Sequence, residues 1–180
     1  MYGFPKTIRT KDATKVTLKL SSREDFEFSL GFFKRQPEED RVYLRRDVTR
    51  RVETEERYVE IEEGRTTAIV AIANGMIVGD ASLTSDRRGW FRNTGEIRLV
   101  VDVNFRGKGL GNLLAREIIE IARQKEMIKL EASFVETQKG IVRTLEKLGF
   151  EREGKLSDIV VDLKGKHHDL VLMGKQLEEA

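Results

Sequence analysis

Residues 15–22, KVTLKLSS, alternate apolar and polar positions with the period of a half-buried strand. Ser22 and Asp25 then stand at capping-box spacing and open REDFEFSLGFFKRQ as a helix, with Phe26, Leu30 and Phe33 on one face. The stretch EEDRVYLRRDVTRRVETEERYVEIEE (38–63) is charged at most positions and reads as mainly helical, its threonines and valines blurring the boundaries. TTAIVAIA and MIVGDASLT flank Asn74-Gly75, a pair that accepts positive φ at both central positions of a tight turn, which predicts a β-hairpin. The strand GEIRLVVD (95–102) runs into a glycine-bearing loop and then a helix carrying Leu110, Leu114, Ile118 and Ile121 on one face. MIKLEASFV (127–135) reads as a buried strand. TQKGIVRTLEKLGF lines up Ile141, Leu145 and Leu148 on a helix that Gly149 ends as a left-handed cap. Two further strands, LSDIVVDL and HHDLVLMG, close the chain around the turn KGK. Strands and helices alternating through the centre, with hairpins at both ends, make an α/β domain with a mixed sheet.

Composition narrows the function. The 180 residues fit one domain, 1–180, and 39% hydrophobic residues suffice for one core. The 33 basic and 31 acidic groups leave a net charge of +2, so no overall field draws the chain to nucleic acid or membrane. The local arginine cluster, Arg41, Arg45, Arg46, Arg50 and Arg51, is interleaved with Glu38, Glu39, Asp40, Asp47, Glu53, Glu55 and Glu56, which reads as a solvated helix face. The chain has no cysteine, excluding disulfides, thiolate metal sites and a cysteine nucleophile, and suiting a reducing cytoplasm. No apolar run is long enough for a membrane span, and the first residues lack the apolar core of a leader. His167 and His168 have no further histidine or cysteine to complete a zinc set, so no metal is assigned.

The loop after the strand concentrates the candidate chemistry. Gly107, Gly109 and Gly111 let backbone approach a ligand closely, and the amides opening the following helix suit a phosphate, with Arg106 and Lys108 adding positive charge. RGKGLGNLL lacks the spacing of a phosphate-binding P-loop. The dinucleotide fingerprint also fails, because Asn112 or Leu114 takes the place of its last glycine, although Glu131 falls where a ribose-binding acid would.

VVDVNFRGKGLGNLLAREI resembles the acetyl-CoA-binding motif of the GNAT superfamily of N-acetyltransferases, Q/R-x-x-G-x-G/A, with Arg106, Gly109 and Gly111 in the motif positions. The preceding hairpin, IKLEASFV and GIVRTLEKLGF are similar in order, so the likeness covers 66–174 well and leaves 15–63 as the acceptor-side region. The resemblance implies a mixed, mostly antiparallel central sheet of about six to seven strands, with flanking helices and a splayed central strand pair. It implies acetyl-CoA as acyl donor, its pantetheine arm along Val101, Asp102 and Val103 and its diphosphate on the amides of Arg106, Gly107, Lys108, Gly109, Leu110 and Gly111. Asn112 would edge that shell. Gln138 stands where relatives carry an asparagine and would offer its amide to the cofactor.

The same resemblance implies transfer to a primary amine of a small molecule or protein, with Glu96 as the base; as a plain sequence feature Glu96 is equally a solvated strand-end carboxylate. Leu145 occupies the place where many relatives have the tyrosine that protonates the leaving thiolate, so water or Ser133 is left for that role. The N-terminal helices, with FFKRQPEEDRVYLRRDV, resemble more faintly the catalytic domains of bacterial protein-lysine acetyltransferases. A homodimer is compatible with these features. Trp90 and Phe91 either flank the acceptor opening or cap the core. A non-catalytic acyl-CoA sensor or interaction module is the rival reading, motivated by Leu145.

Overall fold

A computed structural model describes residues 2–41, 44, 46–86, 88–162 and 164–177. Two strands, β1 (Lys6–Arg9) and β2 (Lys15–Leu20), form an antiparallel hairpin with Thr7 opposite Thr17. A 3-10 turn over Arg23–Asp25 leads into α1 (Phe26–Lys34). The Asp25 carboxylate accepts the Ser22 backbone N–H at 3.0 Å, the return half of the expected capping box. Phe26, Leu30 and Phe33 are all buried, as their spacing requires.

The stretch 38–63 is not one helix. It divides into α2 (Glu38–Arg41) and α3 (Arg51–Glu62). The Asp47 side chain accepts the Thr49 backbone N–H at 3.2 Å, giving the chain a local turn in place of a helical bond. Arg50 is extended, and the Thr54 hydroxyl donates to the Val48 carbonyl at 2.9 Å, fixing the turn against the start of α3. Of the arginine cluster, Arg46 pairs with Glu60 at 2.9 Å and Arg51 with Glu27 at 2.6 Å, while Arg45 lies outside the described residues.

β3 (Thr66–Ala73) and β4 (Met76–Thr84) turn at Asn74 and Gly75, with φ of 50° and 74°, the left-handed pair expected there. β5 (Thr94–Val101), α4 (Leu110–Gln124), β6 (Lys129–Val135), α5 (Lys139–Glu146), β7 (Glu151–Val161) and β8 (His167–Gln176) complete the chain. The strands form one sheet in the order β1-β2-β3-β4-β5-β6-β8-β7, antiparallel throughout except for β5 and β6. The eight strands exceed the expected six to seven because β1 joins the edge. β7 is the opposite edge. It begins at Glu151, ahead of the expected start, and is exposed along nearly its whole length with register shifts at 152/154 and 156/160.

Helix α4 covers one face of the sheet. Leu110, Leu114, Ile118 and Ile121 are buried against Ala81, Leu83, Ile97 and Leu130, each worth about 1.5–3 kcal/mol of burial. Leu145 of α5 joins the same core, and Gly149, at φ 82°, ends that helix as expected. Helices α1 and α3 cover the other face through Phe32, Phe33, Val70, Ile77 and Tyr58. The Tyr58 hydroxyl shares hydrogen bonds with Ser29 at 2.7 Å and Ser21 at 3.1 Å, satisfying it in the core. No helix among the described residues is long and apolar enough to cross a membrane.

Candidate active site

The ladder between β5 and β6 ends early. Its described pairs are Thr94 with Lys129, Gly95 with Leu130 and Glu96 with Glu131. Beyond them β5 stays paired with β4 through Val101 and β6 with β8 through Val135, so the two strands part and turn their inner backbone edges toward a shared space. Unpaired backbone N–H and C=O groups demand partners, and an extended amide-bearing ligand laid between the strands supplies them. The resulting cleft holds about 1890 Å³, more than the roughly 300–1,000 Å³ of an ordinary small-molecule pocket, which leaves room for two substrates. Leu156, Ile159 and Val161 of β7 form its outer wall.

The glycine loop closes one end. Gly107 and Gly109 lie at φ 73° and 85°, a region costly for any residue with a Cβ. Gly109 caps α4 without a side-chain hydrogen bond, so the first-turn amides of a 15-residue helix keep their donors for a ligand. Arg106 and Lys108 do not face the loop as free charges. The Arg106 guanidinium donates to the Val101 carbonyl at 3.0 Å and pairs with Asp40 of α2 at 2.8 Å. Lys108 pairs with Asp12 at 2.9 Å and lies over the Phe105 ring at 5.1 Å. Hydrogen bonds from the Thr10 hydroxyl and then from Lys108 hold the Asp12 carboxyl well below the usual carboxylate range.

Most of the expected site residues meet in this cleft: Glu96, Val101, Arg106, Gly107, Lys108, Gly109, Leu110, Gly111, Asn112 and Gln138. Asp102 and Val103 stand outside its lining. The Asp102 N–H is spent on the Val78 carbonyl at 3.0 Å, and its carboxylate caps the following turn through the Asn104 N–H at 3.0 Å. Asn112 accepts from Arg116 at 2.9 Å. Gln138 accepts the Val135 N–H at 3.1 Å through Oε1, which fixes its orientation and leaves the NH₂ end to donate.

Glu96 sits where the strands part, and its carboxylate accepts from Arg98 at 3.0 Å. Glu131 lies opposite and also lines the cleft. Ser133 does too, whereas Leu145 is fully buried in the core and outside the lining. The sequence pattern missed two contributors. Gln36 is 3% exposed and lines the cleft; its Nε2 donates to the Phe32 carbonyl at 3.0 Å, which leaves Oε1 buried with no partner. Arg9, Thr10 and Lys11, from the β1–β2 turn, line the glycine-loop end. A lone glutamine ending a helix and a charged N-terminal stretch carry no pattern that would reveal either.

Trp90 and Phe91 are 94% and 63% exposed, so they do not cap the core, and neither belongs to the cleft lining. The histidines open β8 beside the β7–β8 turn, where His168 bonds Asp162 at 2.8 Å and His167 bonds the Asp158 carbonyl at 2.9 Å. Among the described residues no three potential metal ligands cluster.

Comparison with known proteins agrees with this geometry. Residues 26–150 match the family model described as acetyltransferase (GNAT) family. The chain belongs to the GNAT family of acetyltransferases. It is 29% identical over 116 residues to YwnH of Bacillus subtilis (strain 168), a protein named provisionally as a phosphinothricin acetyltransferase; the match covers 64% of this chain and 71% of that one. A ribosomal-protein-alanine N-acetyltransferase from Brucella melitensis superposes with a TM-score of 0.75 at 27% identity, covering 89% of this chain and 99% of the other. The structure of yncA from Salmonella typhimurium, provisionally an acetyltransferase and solved with its cofactor acetyl-CoA, gives 0.77 at 25% identity over 92% and 95%. This GNAT protein is accordingly an N-acetyltransferase with acetyl-CoA as its donor. The parted inner edges of β5 and β6, the uncapped amides of α4 and the free NH₂ of Gln138 fit that donor.

Proposed function

We propose that this enzyme acetylates a primary amine, with Glu96 as the base that frees it. The observation that carries the reading is the place of Glu96: on the strand that ends at the glycine loop, at the point where β5 and β6 part, with its carboxylate in the cleft. An alkylamine near pH 7 is almost wholly ammonium and cannot attack until it loses a proton. Glu96 accepts that proton directly or through water, while Arg98 holds the carboxylate in place. Bound acetyl-CoA supplies the thioester carbonyl and the thiolate leaving group. Glu131 places a second carboxylate beside the entry, which favours a cationic acceptor over an anionic one. The orphaned Gln36 carbonyl calls for an N–H donor at the wall of the cleft. Ser133, one of the hydroxyls within the lining, is the candidate to return a proton to sulfur, since Leu145 is sealed in the core.

The two similar proteins whose names give an acceptor fit the class, because phosphinothricin and the terminal alanine of a ribosomal protein both present a primary amine. Small amines and protein amines are therefore both acceptors to assay. A panel of primary amines, secondary amines and alcohols, with acetyl-CoA consumption followed by thiol release, identifies the class. On the best acceptor, Glu96→Gln lowers kcat by about 10²–10⁴ and leaves KM for acetyl-CoA nearly unchanged. Unaltered turnover across the whole pH range would remove Glu96 from the reaction.

A further inference from the structure

We infer that the N-terminal β1–β2 hairpin is a cationic clamp for the terminal 3′-phosphate of coenzyme A, with Lys11 and Arg9 as the residues that recognise it. The inference rests on acetyl-CoA occupying the cleft as donor.

The hairpin is fastened to the glycine loop at three points. The Lys11 backbone N–H donates to the Lys108 carbonyl at 2.9 Å, Asp12 pairs with Lys108 at 2.9 Å, and the Lys11 stem lies across Gly109, its Cε 3.5 Å from where a Cβ would stand. Lys6 ties the same hairpin to α4 through Glu117 at 2.5 Å. The turn is therefore part of the wall of the loop, and Arg9, Thr10 and Lys11 line the cleft there.

Charge accounting at this end singles out two groups. Arg106 and Lys108 are each matched by a carboxylate, Asp40 and Asp12. Lys11 has no acidic partner among the described residues, and Arg9 gives only one hydrogen bond, to the Ala13 carbonyl at 3.1 Å. They are the hairpin cations without a described acidic partner that line the cleft.

Coenzyme A carries a diphosphate in mid-chain and a phosphate monoester, of about 1.5–2 negative charges, on the adenosine at the end remote from sulfur. With the thioester toward Glu96 and the diphosphate on the α4 amides, the part projecting past the loop is the phosphorylated adenosine. The amides satisfy oxygens but carry no formal charge, whereas a monoester calls for cations, which Lys11 and Arg9 provide. Lys139 and Lys147, on the α5 side of the cleft, are the competing flank. Neither belongs to a segment anchored to the glycine loop, and this favours the hairpin.

The test compares acetyl-CoA with its 3′-dephospho analogue by isothermal titration. The proteins are the wild type, Arg9→Gln/Lys11→Gln and Lys139→Ala, each confirmed as folded by circular dichroism. Both hairpin side chains are exposed, so folding is not at stake. The wild type is expected to prefer acetyl-CoA by about tenfold or more, and the double variant to bind both donors alike, near the wild-type affinity for the dephospho form. Equal weakening of both donors by the double variant would put the cations on the diphosphate and overturn the assignment. So would an unchanged preference in that variant, or a preference lost only in Lys139→Ala. Failure of the underlying donor site is distinguishable, since the wild type would then bind neither compound.

Discussion

The buried ion pair between α3 and β4 makes a sharp quantitative prediction. Arg57 Nη2 donates to both oxygens of Asp80, at 2.9 and 2.8 Å, and both residues are buried. The guanidinium lies 5.7 and 5.8 Å from the Phe33 and Tyr58 ring centroids, and its Nη1 has no partner. Burial pushes the Asp80 carboxyl up, and the Arg57 charge pulls against that shift. Asp80→Ala strands a buried guanidinium without its counter-charge, at a cost of about 3–5 kcal/mol. That is a large part of the roughly 5–15 kcal/mol available to a whole domain. Replacing both partners by apolar residues, Arg57→Met with Asp80→Leu, removes the desolvation penalty with the attraction, and stability should return to or slightly exceed the wild-type level. Urea unfolding followed by circular dichroism, with unchanged m-values, measures all three proteins. A loss below about 1 kcal/mol for Asp80→Ala would mean that the pair behaves as a solvated surface bridge, refuting the reasoning. Acetyl-CoA affinity should survive in the double variant, because neither residue lines the cleft.

Two more predictions follow from packing and charge. A Cβ at Gly95 would stand 2.6 Å from both Leu83 Cδ1 and Met127 Sδ, so Gly95→Ala should lower stability by about 1–3 kcal/mol and, by displacing neighbouring Glu96, reduce kcat as well; thermal melts and steady-state rates read the two effects, and an unchanged melting temperature would contradict the packing. Asp162 is held down to about 2, chiefly by its hydrogen bond with His168 and then by the Lys166 backbone N–H. Its folded value lies below the ordinary 3.8, so the contribution of this contact to the β7–β8 hairpin is complete above pH 3.8 and lost as pH falls toward 2. Carboxyl NMR should show Asp162 titrating closer to 3.8 in His168→Gln, and a wild-type value already at 3.8 would show the contact absent.

How much of the molecule was legible beforehand follows the range of the forces involved. Helix α4 announced itself because Leu110, Leu114, Ile118 and Ile121 repeat at the helical period, and all four are buried in the structure. Asn74 and Gly75 announced a turn because few other residues accept their backbone angles. The division of 38–63 was hidden, since helix propensity summed over the segment cannot foresee one aspartate claiming a nearby N–H. Strand β1 was hidden too: KTIR is too short and too charged to signal a strand, and it forms one by pairing with β2.

The site divides in the same way. The order of residues along one strand and one loop determined that a base candidate, Glu96, precedes Gly107, Gly109 and Gly111 on a continuous path, because these neighbours are local in the chain. Only the tertiary structure decided that β5 and β6 part after Glu96, that Gln36 brings a partnerless carbonyl to the cleft, and that Arg106 and Lys108 meet Asp40 and Asp12 while Lys11 and Arg9 have no described acidic partner. Asp40 and Asp12 are distant in sequence from the cations they meet. Local periodicity is written along the chain, but the pairing of charges falls off with distance in space and so waits on the fold.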